Sequence, residues 1–499
     1  MKAFLMFRDR DFVQPERPEV KARDLVQDLE LNRLFEAMSG GDKFLFQVAR
    51  GALLSSVSDP DTIRYRQDAL RDWMKNSSTI RQIYNLAVEA IDREKKDYWH
   101  FLHNRPGWVL SRSRDVLEMF FEMLKQLRRI ADESAGKFQS EALVRFFEML
   151  KSDLSDEYLA VVQQHLVRLA FSDGTLISAE LGTGNKGVNH VLRASHEVKR
   201  GWLDRFFARG PAGFTFQLHP RDESGHNALS DLKDRGISAV AQALSQSTEH
   251  ILSFFRRLRI ELAFYIGCLN LLERLTASGL ATCFPTPVAP GERKHSCEGL
   301  YDVCLALTLG DKVVDNDLSA NDKDVVIITG ANQGGKSTFL RGIGLAQLMM
   351  QCGMFVPAKS FTANVCNGLF THYKREEDAT MKSGKLDEEL KRMSTIVERL
   401  GADSMVLFNE SFAATNEREG SEIARQIVTA LLERKTKVFF VTHLYEFAGG
   451  FHAERPHGAL FLRAVREHDG TRTFKLMEGE PLPTSFGQDL YRKIFAAEA

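Results

Sequence analysis

The sequence predicts an α plus α/β chain: a helical region interrupted by a small β-containing insertion, then a domain in which strands and helices alternate. Three observations predict it. Apolar residues recur at helical spacing through most of residues 1–171 and again over 226–281. Glycine-rich, alternating texture replaces that spacing over 172–225. Beyond Thr282 to Pro290, which holds three of the thirteen prolines, the order becomes strand, helix, strand, helix, so the last domain is placed at 282–499.

In the first helical region, Leu25 to Phe35 and Phe44 to Leu54 each carry an apolar stripe. Asp59-Pro60-Asp61 supplies an N-cap, a first-turn proline and an early acid, so a helix starts there and runs through Ile63 to Trp73. Another helix is expected from about Ser113 to Ala135. In the insertion, Thr175 to Leu181 reads as a strand, Val188 to Ala194 as its hairpin partner, and Gly213 to Leu218 as a third strand. Gly182 to Gly187 fits G-x-G-x-x-G. A dinucleotide loop needs a helix directly afterwards, and Val188 to Leu192 looks extended, so a hairpin turn is the better reading. From Gly236 to Leu275 a stripe including Leu244, Ile251, Phe255, Leu262 and Leu272 continues without a proline. Either one long strut of ~55–60 Å or two shorter helices with a bend would satisfy it.

The 499 residues are 43% hydrophobic and 27% charged, as in globular proteins, and long enough for two to four domains. Lys+Arg is 66 against Asp+Glu 67, which excludes a chain that is polycationic throughout but leaves room for a local basic face. The six cysteines show no C-x-x-C pair, so reduced, buried thiols and a cytoplasmic location are expected. The N-terminal apolar run is too short for a signal peptide, and no stretch approaches the ~20 apolar residues of a membrane span.

The most specific motif is Gly330-Ala331-Asn332-Gln333-Gly334-Gly335-Lys336-Ser337. It follows the apolar run Val325 to Thr329 at once, precedes a helical pattern from Thr338 to Met350, and matches G-x-x-x-x-G-K-[ST]. Loop amides and the helix N-terminus would face phosphate oxygens, Lys336 would reach the β- and γ-phosphates of ATP, and Ser337 would ligate Mg²⁺. A bare glycine turn would not require the flanking strand and helix. Met405 to Glu410 is a buried strand ending in Asn409 and Glu410. P-loop ATPases place an Asp at the first position to hold Mg²⁺ through water and a Glu at the second to polarise the attacking water. Glu410 keeps its role, whereas Asn409 accepts a hydrogen bond but brings no charge, so metal affinity and turnover should suffer. Lys437 to His443 reads as a further buried strand that delivers its Thr442-His443 pair to the same sheet edge. A lone histidine there is ordinarily structural, but the chain order of the three motifs favours a catalytic His443 near the γ-phosphate.

Thr329 to Thr338 resembles the P-loop of the MutS family, T-G-P-N-M-G-G-K-S-T. Val356-Pro357-Ala358, Thr442-His443-Leu444 and Ser485-Phe486-Gly487 are similar to further family segments, and Arg64 to Gln67 and Asp222-Glu223 sit where its helical core would run. The resemblance implies a helical core and lever (1–171), a clamp-like insertion (172–225), a lever helix (226–281) and an ABC-like P-loop ATPase domain (282–499). It implies nucleotide binding by Gly330 to Thr338, Mg²⁺ held by Ser337 and Asn409, and a homodimer through the ATPase domains. Ser383 and Gly384 would then reach the neighbour's nucleotide. Leu386-Asp387 departs from the family's S-T pair, and Ser411 to Asn416 from its G-R-G-T-S loop; both bear on hydrolysis more than on ATP binding. Only about two dozen residues precede the first core-like helix and the chain ends soon after Ser485, so neither direct mismatch recognition by a wedge and connector nor a Smr-type nuclease is expected. Lys186, Arg193, Lys199, Arg200, Arg205 and Arg209 give the insertion a basic bias suited to DNA phosphates, or else form an ordinary solvated face. The expectation is an ATP-gated, DNA-associated clamp in repair or recombination. Its rivals are a nucleotide-dependent protein scaffold and an ATP-binding protein with negligible turnover.

Overall fold

The computed structural model describes residues 1–15, 22–98, 105–171, 174–193, 216–375, 384–454, 458–467 and 471–482. The first helices are α1 (Arg23–Asp28), α2 (Leu31–Ser39), α3 (Lys43–Leu54), α4 (Pro60–Lys75), α5 (Ser77–Tyr98) and α6 (Pro106–Ser134). Asp42 caps α3, accepting from Phe44 N and Leu45 N, and Asp59 caps α4 as its Asp-Pro-Asp start predicts. The run Leu25 to Phe35 is two helices and not one. Glu30 turns left-handed at φ 51°, and its carboxylate is drawn to Arg341. Before α7 (Glu141–Asp153) the Asp72 carboxylate of α4 accepts from Gln139 N and Ser140 N at 2.8 and 2.7 Å. α8 (Asp156–Arg168) follows.

Strands β1 (Leu176–Leu181) and β2 (Gly187–Arg193) form an antiparallel hairpin. Gly184 and Asn185 take positive φ in its turn, and Gly182 N donates to Lys186 O at 2.8 Å. The glycine-rich hexapeptide is therefore a hairpin turn. Of the expected third strand, Gly213 to Thr215 lie outside the described residues, and Phe216 to Leu218 are irregular. No partner strand pairs with that segment among the described residues, and the chain there is already turning into a helix, with Asp222 Oδ1 accepting from Gly225 N. That helix, α9 (Glu223–Ala277), runs unbroken for 55 residues, about 80 Å at the usual rise, which decides for the single strut. Gly236 within it is needed by the hairpin: a Cβ there would lie 2.5 Å from Ile177 Cδ1.

The rest of the chain is α/β: β3 (Thr286–Val288), β4 (His295–Leu300), α10 (Val303–Leu309), β5 (Asn316–Ser319), β6 (Val325–Gly330), α11 (Lys336–Gln351), β7 (Ser360–Asn364), β8 (Leu369–Tyr373), α12 (Lys385–Val397), β9 (Met405–Asn409), α13 (Glu417–Glu433), β10 (Lys437–Val441), α14 (Tyr445–Glu454), β11 (Ala459–Arg466) and β12 (Arg472–Glu478). The larger sheet has six strands in the order β12-β11-β6-β10-β9-β8, parallel except for β12; a four-stranded sheet runs β3-β7-β4-β5. Every residue of β6 and β10 is buried, as continuous apolar runs in a covered parallel sheet require. Phe408 and Phe440 stack at 4.8 Å within the core that the sheet shares with α13 and α14.

The chain divides into two compact units. A helical unit comprises Met1–Ala3, Gln82–Lys137 and Arg145–Arg259; a sheet unit comprises Phe4–Arg81, Phe138–Val144 and Ile260–Ala499. The helical unit packs Phe120 on Phe255 and, near the hairpin, Leu110 on Ile237 and Ala241. In the sheet unit, Glu261 fastens the N-terminal segment by accepting from Leu5 N at 2.7 Å and Phe12 N at 2.6 Å, and burial raises its pKa to about 7. Among the described residues no helix is long and apolar enough to cross a membrane, and all six cysteines are free thiols, Cys283 alone half-exposed.

Candidate nucleotide site

Strands β6, β10 and β9 are neighbours and parallel, so their carboxyl ends open on one edge of the sheet. The three motifs, more than a hundred residues apart at their extremes, converge there. Gly330 turns out of β6 at φ 105°, where a Cβ would lie 2.9 Å from Ala464 N; Gly335 sits at φ 87° at the start of α11. Both conformations strongly favour glycine. Lys336 folds back over the loop, its Nζ donating to Gly330 O and Ala331 O at 2.9 Å each. Burial lowers its pKa to about 8, against the pull of the Glu410 charge.

Across the edge, Ser337 Oγ donates to Asn409 Oδ1 at 2.9 Å. Glu410, left-handed at φ 53°, donates its N–H to Val441 O and sets its Oε1 2.9 Å from His443 Nε2. That hydrogen bond holds the Glu410 carboxyl below its ordinary pKa, although burial works the other way. Lys336, Ser337, Asn409, Glu410 and His443 thus form one constellation: an ammonium, a hydroxyl–amide pair and a carboxylate–imidazole pair. No group of three or more His, Cys, Asp or Glu side chains could hold a metal among the described residues. The oxygens of Ser337 and Asn409 suit a hard cation such as Mg²⁺ that brings phosphate and water ligands with it.

Two parts of the site were not foreseen. The β11–β12 hairpin closes over the loop: Ala464 lies against Gly330 and Gly334, Phe474 backs Gly335, and Arg472 Nε donates to Asn332 O at 3.2 Å. Nothing in its sequence pattern separates it from an ordinary edge hairpin. Behind Glu410, the His372 ring bridges Ser411 Oγ at 2.7 Å and Glu389 O at 3.0 Å, while Glu389 Oε2 accepts from Phe412 N. Burial lowers the His372 pKa to about 4, so the ring is neutral near pH 7. This network pins the Ser411 to Asn416 loop.

Of the other predicted residues, Gly384 is the N-cap of α12, and Ser383 lies outside the described residues. Lys186 and Arg193 are exposed on the hairpin of the helical unit, Arg193 Nε donating to Ser178 Oγ at 2.9 Å. Lys199, Arg200, Arg205, Arg209 and Ser485 to Gly487 lie outside the described residues.

Residues 58–278 match the family described as MutS2 N-terminal domain, and residues 326–494 match MutS domain V. The chain is 31% identical over 211 residues to the DNA mismatch repair protein MutS of Thermotoga sp. (strain RQ2), a match covering 42% of this chain and 26% of that protein. It is 30% identical over 439 residues to MutS protein homolog 4 of Mus musculus, covering 85% of this chain and 44% of the relative. It is 24% identical over 463 residues to MutS of Synechococcus elongatus, covering 83% and 50%. The chain thus spans between a quarter and a half of the length of these relatives. It carries two domains of the MutS family, an N-terminal domain of the MutS2 type and an ATPase-type domain V.

Proposed function

We propose that this MutS-family chain binds and hydrolyses ATP with Mg²⁺ at the β6–β10–β9 edge and acts as an ATP-gated clamp on DNA. The observation that carries the reading is the convergence of Lys336 and Ser337 with Asn409, Glu410 and His443 on three adjacent parallel strands. Gly330 to Thr338 bind the phosphates, Lys336 neutralises their charge, and Ser337 with Asn409 holds Mg²⁺ through its water shell. Glu410, ionised and oriented by His443, polarises the attacking water. Two copies associate through residues 282–499, and Ser383 and Gly384 of one reach the nucleotide of the other. Residues 1–171 and 226–281 act as core and lever, and 172–225 as the DNA-facing clamp. Lys186, Arg193, Lys199 and Arg200 contact phosphates there without reading sequence. The action is in the cytoplasm, in repair or recombination, without direct mismatch recognition. The likeness to proteins named DNA mismatch repair protein MutS supports a DNA role.

The rival is a nucleotide-dependent protein scaffold, favoured by the near-zero net charge. Binding to duplex, branched and single-stranded DNA, measured against salt with and without ATP, separates the two. The clamp reading expects binding that weakens steeply as salt rises. No binding at low salt in either nucleotide state would sink it.

A further inference from the structure

Away from the nucleotide edge, the sheet unit contains an open cleft of about 1310 Å³ along β8, the end strand of the six-stranded sheet. Its walls come from α1, α2, α3 and α12 with the loop that follows α12. The charges around it do not balance. The acids are engaged: Asp24 pairs with Arg375 at 2.9 Å, Glu36 with Arg33 at 3.7 Å, and Asp42 caps α3. Arg23, Lys43, Arg50 and Arg399 line the cleft, and among the described residues no carboxylate pairs with any of them. Arg50 Nε and Arg392 Nη2 are buried without an acceptor. Those two nitrogens do not face the cleft; the cations open to it include Arg23, Lys43 and Arg399, all exposed. The lining is also apolar where it meets the sheet, with Phe46 and Phe370 both half-buried and Ile396 buried.

We propose that this cleft is a second ligand site, distinct from the P-loop, that takes a nucleotide. Its phosphates lie among Arg50, Arg399, Lys43 and Arg23, and its base lies against Phe46 and Phe370. Two features select a nucleotide over a bare anion. The volume is several times what inorganic phosphate fills and exceeds the common range of small-molecule sites. Phe46 and Phe370 supply aromatic lining of the kind against which a base packs. The proposal is independent of the P-loop assignment, because no lining residue belongs to that loop.

The test uses the full chain carrying Lys336→Ala, titrated calorimetrically with ADP and separately with inorganic pyrophosphate at low salt. ADP is expected to bind at one site per chain and at least about tenfold tighter than pyrophosphate. Adding Arg50→Ala with Arg399→Ala is expected to weaken ADP by about tenfold or more, as loss of charge-assisted contacts does. Arg50→Lys retains most of the binding, and Arg425→Ala, on the exposed face of α13, changes nothing. Circular dichroism checks that each variant is folded. Absence of ADP binding to the Lys336→Ala chain, or ADP binding indifferent to the Arg50 and Arg399 changes, overturns the site. Pyrophosphate binding as tightly as ADP overturns the nucleotide assignment.

Discussion

The P-loop lip of the site and the β9–β10 lip opposite it hold their side chains by different means. On the P-loop lip the backbone does the work. Gly330 and Gly335 take positive φ, Gly330 and Gly334 lie so close to Ala464 that a Cβ would collide with it, and Lys336 is 5% exposed. On the opposite lip side chains do it. Asn409 is reached by Ser337, Glu410 by His443, and the Ser411 loop by His372 and Glu389. The first lip keeps the general G-x-x-x-x-G-K-[ST] pattern complete, and the second carries Asn409 where P-loop ATPases place an Asp. On the proposed function, binding of nucleotide and its turnover would rest on separable structures, and substitutions should separate them.

The sharpest break is on the P-loop lip. Lys336→Ala is expected to weaken ATP binding by about two to three orders of magnitude, since it removes the buried cation proposed to neutralise the phosphates. Calorimetry against ATP measures it; an unchanged Kd would remove Lys336 from the site. On the other lip, Glu410→Gln should leave ATP affinity within about threefold while lowering single-turnover hydrolysis by about a hundredfold or more. If affinity and turnover fell together, the two lips would not be separable.

A smaller effect sharpens the contrast. Asn409→Asp restores a charge beside Ser337 and should lower the Mg²⁺ concentration needed for half-maximal hydrolysis, with turnover rising about three- to tenfold. A slower Asp variant would mean that the Ser411 loop, and not the missing charge, limits the rate. The smallest effect is on pH. With its pKa lowered to about 8, Lys336 of the nucleotide-free chain loses its charge as pH rises through 8, so initial ATP affinity should decline above that pH. Stability has the opposite sign. Between 8 and the unfolded value of 10.5 the unfolded chain holds the extra proton, so this lysine makes the apo chain more stable as pH rises. Glu410, held below its ordinary 4.5, contributes stability that is present above 4.5 and lost as pH falls through its folded pKa. Thermal melts of the parent, Lys336→Met and Glu410→Gln across pH 3 to 10.5 check both signs.

Much of this was legible from local pattern. The P-loop declares itself through spacing and flanks, the Asp59 cap through three residues, and the strut through the length of its apolar stripe. The Leu25 to Phe35 run is helical as its spacing indicates, but the break at Glu30 was not legible, because that left-handed turn accompanies an ion pair with a residue more than three hundred positions away. Of the expected third strand only Phe216 to Leu218 are described, and they are irregular, because alternation marks a capacity for pairing that is used only where a partner is present.

What the sequence determined by itself is the chemistry: which residues can hold phosphate, which carboxylate can activate water, and that an amide stands at position 409. What only the tertiary structure decided is which of these meet. Strand order is a property of long-range packing, so nothing local announces that β6 lies between β11 and β10, or that a hairpin more than a hundred residues downstream closes over Gly330 and Gly335. The same holds for the cleft beside β8, whose cations come from segments far apart in the chain and become a cluster only when α1, α3 and α12 are folded together.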